Sequence, residues 1–228
     1  MFFSPYWLLF ALPGIVLAFW AQSRVKRAYK KYSKVRTSRG LSGAEVARSL
    51  LDSQGLYDVQ IEENKGFLSD HYDPRSKTLR LSPEVYRTPS VTAAGIAAHE
   101  MGHALQHSNG YMPLQVRSAI VPVAKFGSTL APWLVIGGFL LRFTALAWVG
   151  VVLFGLAVIF TLITLPVEFD ATKRAKNLLV GNGVLIGNEL EGVNKVLDAA
   201  ALTYVAAAIA AVGQLLYYVF LMIGGRRR

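Results

Sequence analysis

Hydrophobic and polar positions alternate along this chain on two length scales. On the long scale, four apolar stretches are each long enough to cross a bilayer: Phe2 to Ala21, Ser118 to Leu141, Phe143 to Val167 and Ala199 to Gly225. Pro13 interrupts the first, and Lys125 is the one charge in the second. Between them lie two polar regions, Ser23 to Arg117 and Glu168 to Asp198. Two spans separate these regions, so both lie on one side of the membrane.

On the short scale, the first polar region reads as a small α+β unit. Ser42-Gly43-Ala44-Glu45 is a capping-box pattern, and it opens a helix that ends near Gly55. Tyr57 to Glu63 and Thr78 to Ser82 alternate like half-buried strands, with Asp73-Pro74 marking a turn between them. Thr88-Pro89-Ser90 then starts a small-residue helix. In the second region, Glu168 to Val180 reads as helix, Gly181-Asn182-Gly183 as a turn, and Asn188 to Glu191 as the capped start of another helix. The expected fold is therefore mainly α, a membrane protein of about four transmembrane helices carrying a small α+β domain. Its segments are an anchor (2–21), the α+β domain (23–117), two transmembrane helices (118–167), a helical segment (168–198) and a last transmembrane or membrane-embedded helix (199–225).

Composition sharpens this. Of 228 residues, 53% are hydrophobic, and the mean hydropathy is +0.38, too apolar for an ordinary soluble domain. The first stretch lacks a basic leader and a small-residue cleavage site, so it reads as an uncleaved anchor. The net charge is +10, but much of it is local. Arg24, Lys26, Arg27, Lys30, Lys31, Lys34, Arg36 and Arg39 follow the first span with no acid among them. By the positive-inside rule this segment, and with it both polar regions, lies in the cytoplasm. Tyr29 and Tyr32 interleave with these charges, which suits contact of residues 24–39 with anionic lipid; nucleic acid is not implied. Arg226-Arg227-Arg228 would then lie outside, against the same rule. There are no cysteines, which excludes disulfides and thiolate metal sites.

The chemistry sits in His99-Glu100-Met101-Gly102-His103. On a helix, positions four apart share a face, roughly 6 Å apart along the axis. Two imidazoles at that spacing reach one ion, and the intervening Glu can act as general base. A catalytic zinc needs a third protein ligand. His107 lies about 12 Å along the axis from His99, too far to share the ion; His71 precedes a turn and could approach from a loop. Glu168, at the mouth of the third span and on the same side of the membrane, is the best candidate. Asp170 and Arg174 can pair at i, i+4. Gly102 suits a close approach to the metal helix.

These pieces resemble the YugP-like family of bacterial membrane zinc metallopeptidases. The resemblance is carried by His71-Tyr72-Asp73-Pro74-Arg75, by Leu79 to Tyr86, by His99 to Gln106, by Leu165-Pro166-Val167-Glu168-Phe169-Asp170-Ala171 and by Ala201 to Ala206. It implies a gluzincin-type peptidase of the bacterial plasma membrane, with Zn2+ on His99, His103 and Glu168 and Glu100 as base, acting on protein or peptide substrates. The chain is more distantly similar to HtpX-like membrane proteases, in which an Asp commonly follows the Glu by four positions; here that position is Thr172. Tyr204, in the last matching string, is a candidate oxyanion donor, and the Thr78 to Ser82 strand a candidate exposed edge for substrate. Two alternatives remain at this point. One is a site-2-type intramembrane protease with Asp198, in Leu197-Asp198-Ala199, as third ligand. The other is a non-catalytic, zinc-stabilised membrane scaffold.

Overall fold

The computed structural model describes residues 5–224. The start of the first apolar stretch and the Arg226-Arg227-Arg228 tail lie outside the described residues. The fold is mainly α with a small sheet. In order it runs α1 (Pro5–Tyr32), α2 (Gly43–Ser53), β1 (Gln60–Glu63), β2 (His71–Asp73), β3 (Thr78–Leu81), α3 (Pro83–Arg87), α4 (Val91–Ser108), α5 (Met112–Leu140), α6 (Thr144–Gly181) and α7 (Asn188–Gly224). Four of these helices, α1, α5, α6 and α7, are long and apolar enough to cross a membrane.

The chain divides into two compact units, and the divisions fall within the long helices. One unit comprises Met1–Ala21, Pro113–Pro166 and Leu202–Arg228. It packs by small residues, as helices do where lipid removes any hydrophobic drive to associate. A Cβ on Gly213 would lie 2.2 Å from the Phe10 carbonyl oxygen, and one on Gly138 would lie 2.5 Å from the Ala147 nitrogen. Backbone therefore meets backbone at both crossings. Trp7 Nε1 donates to Gln214 Oε1 at 3.4 Å across the first of them.

The other unit comprises Gln22–Met112 and Val167–Ala201. Its core joins Val46, Leu50 and Leu51 of α2 to Leu79 and Leu81 of β3, Ala97 and Met101 of α4, and Leu179 and Val193 from the later helices. Helix α2 starts as its sequence requires: the Ser42 side chain accepts from the Glu45 N–H, and the Glu45 side chain accepts from the Ser42 N–H. Ser90 caps α4 by accepting from Ala93 N–H at 3.1 Å.

The sheet corrects one expectation, that of Thr78 to Ser82 as an exposed edge. Its order is β1-β3-β2, with β1 parallel and β2 antiparallel to β3. The Thr78 to Ser82 stretch therefore forms the central strand, and the free edges belong to β1 and β2. The sequence also hides β2, because three residues are too few to show alternation. The Asp73-Pro74 turn is where it was expected, held by Asp73 Oδ1 accepting from Arg75 N–H at 3.0 Å. At α7 it is Glu189 that reaches back, accepting from Ile186 N–H at 3.0 Å, while Glu191 pairs with Lys195.

Candidate metal centre

Helix α4 carries His99 and His103 one turn apart, and α6 brings Glu168 against them. A Cβ on Gly102 would stand 2.6 Å from the Ala171 carbonyl oxygen. Any larger residue there would push α6 away, so Gly102 permits the approach that the sequence suggested. Ligating atoms of His99, His103 and Glu168 all lie within 4.8 Å of one another. Glu168 Oε2 is 3.2 Å from His99 Nε2 and 3.6 Å from His103 Nε2. Donors bound tetrahedrally at about 2.1 Å stand about 3.4 Å apart, so this set fits zinc in both chemistry and spacing.

Glu168 is only 2% exposed. A carboxylate at that depth is costly unless it is paired or holds a metal. Its partners include the two imidazoles. At His103, burial pushes the imidazole down, but the Glu168 hydrogen bond and the charges of Glu100 and Glu168 outweigh it, so the net displacement is upward.

The remaining imidazole nitrogens are also engaged. Gln106 is fully buried. Its Nε2 donates to the Val167 carbonyl and to Asp170 Oδ2, both at 2.8 Å. Both partners are acceptors, so the amide nitrogen must face them and Oε1 must face His103. His103 Nδ1, 3.0 Å from that oxygen, therefore carries the proton, which leaves the Nε2 lone pair free for a metal. Asp170 is held in turn by Arg174 Nε at 2.5 Å, the pairing expected from sequence. Thr172 Oγ1 lies 3.2 Å from His99 Nδ1, so the residue that departs from the HtpX-like pattern supports the first imidazole. Among these partners, Gln106 follows His103 by three residues on the same helix, a spacing that permits the bond, but the orientation of its amide depends on an interhelical contact.

Of the other candidates, His107, His71 and Asp198 are held elsewhere in the same unit. His107 Nδ1 is 3.0 Å from the Tyr72 hydroxyl. His71 is exposed on β2, with Nδ1 2.8 Å from the Ser69 carbonyl. Asp198 is exposed and pairs with Lys176 at 2.6 Å. Tyr204 lies on the part of α7 belonging to the other unit. Glu100 is half-buried, and its charge acts on Asp70. Burial drives the Asp70 carboxyl upward, and the Glu100 charge adds to this against the hydrogen bonds from Ser82.

Comparison with known proteins agrees with this geometry. Residues 7–223 match a family model described as "Putative neutral zinc metallopeptidase". The chain belongs to this family. It is 50% identical over 219 residues to "Putative membrane protease YugP" of Bacillus subtilis (strain 168), covering 96% of this chain and 97% of the relative. No solved structure gives a significant match. As a member of the YugP-like family, the chain is a multi-pass membrane protein of zinc-metallopeptidase type, and zinc is the metal that suits its His-His-Glu set.

Proposed function

We propose that this chain hydrolyses peptide bonds of protein or peptide substrates at the cytoplasmic face of a bacterial plasma membrane. The reading rests on one observation: His99, His103 and Glu168 converge as a three-ligand set, while the motif's Glu100 stays outside it. A structural zinc usually takes four protein ligands, whereas three leave a position open. Bound zinc supplies a Lewis acid that lowers the pKa of water toward about 7 and polarises a carbonyl. Glu100 accepts the proton of the attacking water and passes it to the departing amine. Glu168 and the two imidazoles would hold the metal, while Gln106 and Thr172 fix the rings' orientation.

Substrate would enter extended, by adding to a sheet edge. With β3 central, β2 is the favoured edge, since it lies on α4 through Tyr72 and His107. The cytoplasmic placement follows from the basic run after the first span, and that run also suits anionic lipid. Asp198 in its ion pair with Lys176 gives the intramembrane alternative no third ligand. An intact Glu100, which a scaffold would not require, disfavours the non-catalytic reading.

The test is cleavage of casein by detergent-purified protein, wild type beside Glu100→Gln, with zinc content measured in both. Activity in wild type alone supports the proposal. Equal activity in both sinks it.

A further inference from the structure

Away from the metal centre, in the same unit, an open surface notch of about 240 Å³, with its cations exposed, lies between the basic end of α1 and the first turns of α7. Arg24, Arg27 and Lys31 line it at i, i+3 and i+7, the spacing of one helix face. Lys195 closes it from α7. Ala28 and Ala199 also line it, so small side chains open the space that the four cations surround. Orientation of a membrane helix needs basic residues in the flanking segment, in any arrangement. It does not need a lysine more than 160 residues away in the chain to join them around a hollow.

The acids nearby have partners of their own. Asp198 pairs with Lys176 at 2.6 Å. Glu191 accepts from Lys195, and its single negative charge also acts on Lys31, against four positive charges. Arg27 Nε donates to the Ser23 carbonyl at 3.3 Å, leaving its terminal NH2 groups for other acceptors. The Lys31 ammonium lies 5.1 Å from the centre of the Tyr32 ring, which also lines the cavity. The surplus remains positive.

We infer that this notch binds the phosphate headgroup of an anionic phospholipid. The lipid source, rather than a free phosphate, is favoured by the helix that carries it. Residues Tyr6–Tyr32 form one candidate span. Trp20, 45% exposed, precedes Arg24 by four residues, and Trp is enriched at the membrane–water interface. The inference rests on the membrane reading and on the proposed contact of residues 24–39 with anionic lipid. It does not depend on peptidase activity, because binding alone tests it.

The experiment uses full-length protein exchanged from phosphatidylglycerol into a neutral detergent, where the diffuse field of an anionic surface is gone. Retained phosphatidylglycerol per chain is read by mass spectrometry. Two variants probe the notch: Arg24→Gln with Arg27→Gln, which removes charge, and Ala28→Leu, which fills the hollow and keeps every charge. Lys26→Gln with Arg39→Gln removes equal charge from exposed positions outside the lining. Wild type and this control should retain lipid, and both notch variants should retain at least tenfold less with zinc content unchanged. Equal retention in all four, or equal loss in the control, overturns the inference in favour of diffuse electrostatics. Displacement of the lipid by inorganic phosphate at constant ionic strength, absent in the notch variants, would overturn the lipid assignment and leave a free-phosphate site.

Discussion

His103 donates its Nδ1–H to Gln106 Oε1 at 3.0 Å, within one turn of the same helix. The proton position follows from the far side of the amide, where two acceptors claim the NH2 group. Replacing Gln106 by Leu keeps roughly its volume but leaves the imidazole free to adopt the other tautomer. Loss of such an outer partner typically costs 10–100-fold in metal affinity. Zinc affinity of Gln106→Leu, measured by chelator competition, should fall within that range. An unchanged affinity would show that the amide does not orient the ring.

Glu168 and Asp198 make opposite predictions. Glu168→Ala removes a carboxylate from between two imidazoles and should abolish stoichiometric zinc. Asp198→Ala breaks an exposed pair with Lys176, of a kind worth under about 1 kcal/mol, and should keep zinc at the wild-type level. Metal analysis of the two purified variants is enough; the reverse pattern would transfer the third ligand to Asp198.

Gly102→Ala tests the contact of α4 with α6. The new methyl would meet the Ala171 carbonyl oxygen at 2.6 Å, and overpacking of this kind costs about 1–3 kcal/mol. The variant should unfold at lower temperature, and it should also bind zinc more weakly, because relief of the clash moves Glu168. A fall in thermal stability with unchanged zinc affinity would mean that the helices yield elsewhere.

The pH dependence has a definite sign. In the zinc-free protein the His103 pKa is raised above its ordinary value. Its protonation then contributes stability that is fully present below the unfolded value, about 6.5, and is lost as pH rises through the folded value. Zinc must displace that proton. Zinc affinity should therefore climb with pH up to the folded pKa and then level off, while zinc-free protein loses stability over the same window. Chelator titrations and denaturant unfolding across this range check both arms. A flat zinc affinity would mean that His103 is already neutral.

The parts legible in the sequence were those encoded by local spacing. The capping box at Ser42, the helix through His99 and His103, and the Asp170–Arg174 pair are all relations between residues three or four apart. Glu168 was reachable because a carboxylate ending an apolar span is rare. Strand β2 was missed for want of length, and the central place of β3 cannot be read from its own residues, since it depends on a parallel partner from one side and an antiparallel one from the other. Gln106 is only half legible for a related reason: its spacing from His103 is local, but the orientation of its amide is set by Val167 and Asp170, which belong to another helix.

The ligands' order along the chain has a consequence for biosynthesis. His99 and His103 leave the ribosome together, but the carboxylate that completes the set follows only after α5 and the apolar part of α6 have been made. Until residue 168 is added, His99 and His103 lack the carboxylate that faces them in the folded chain. On the proposed function, peptide hydrolysis would therefore await synthesis of α6.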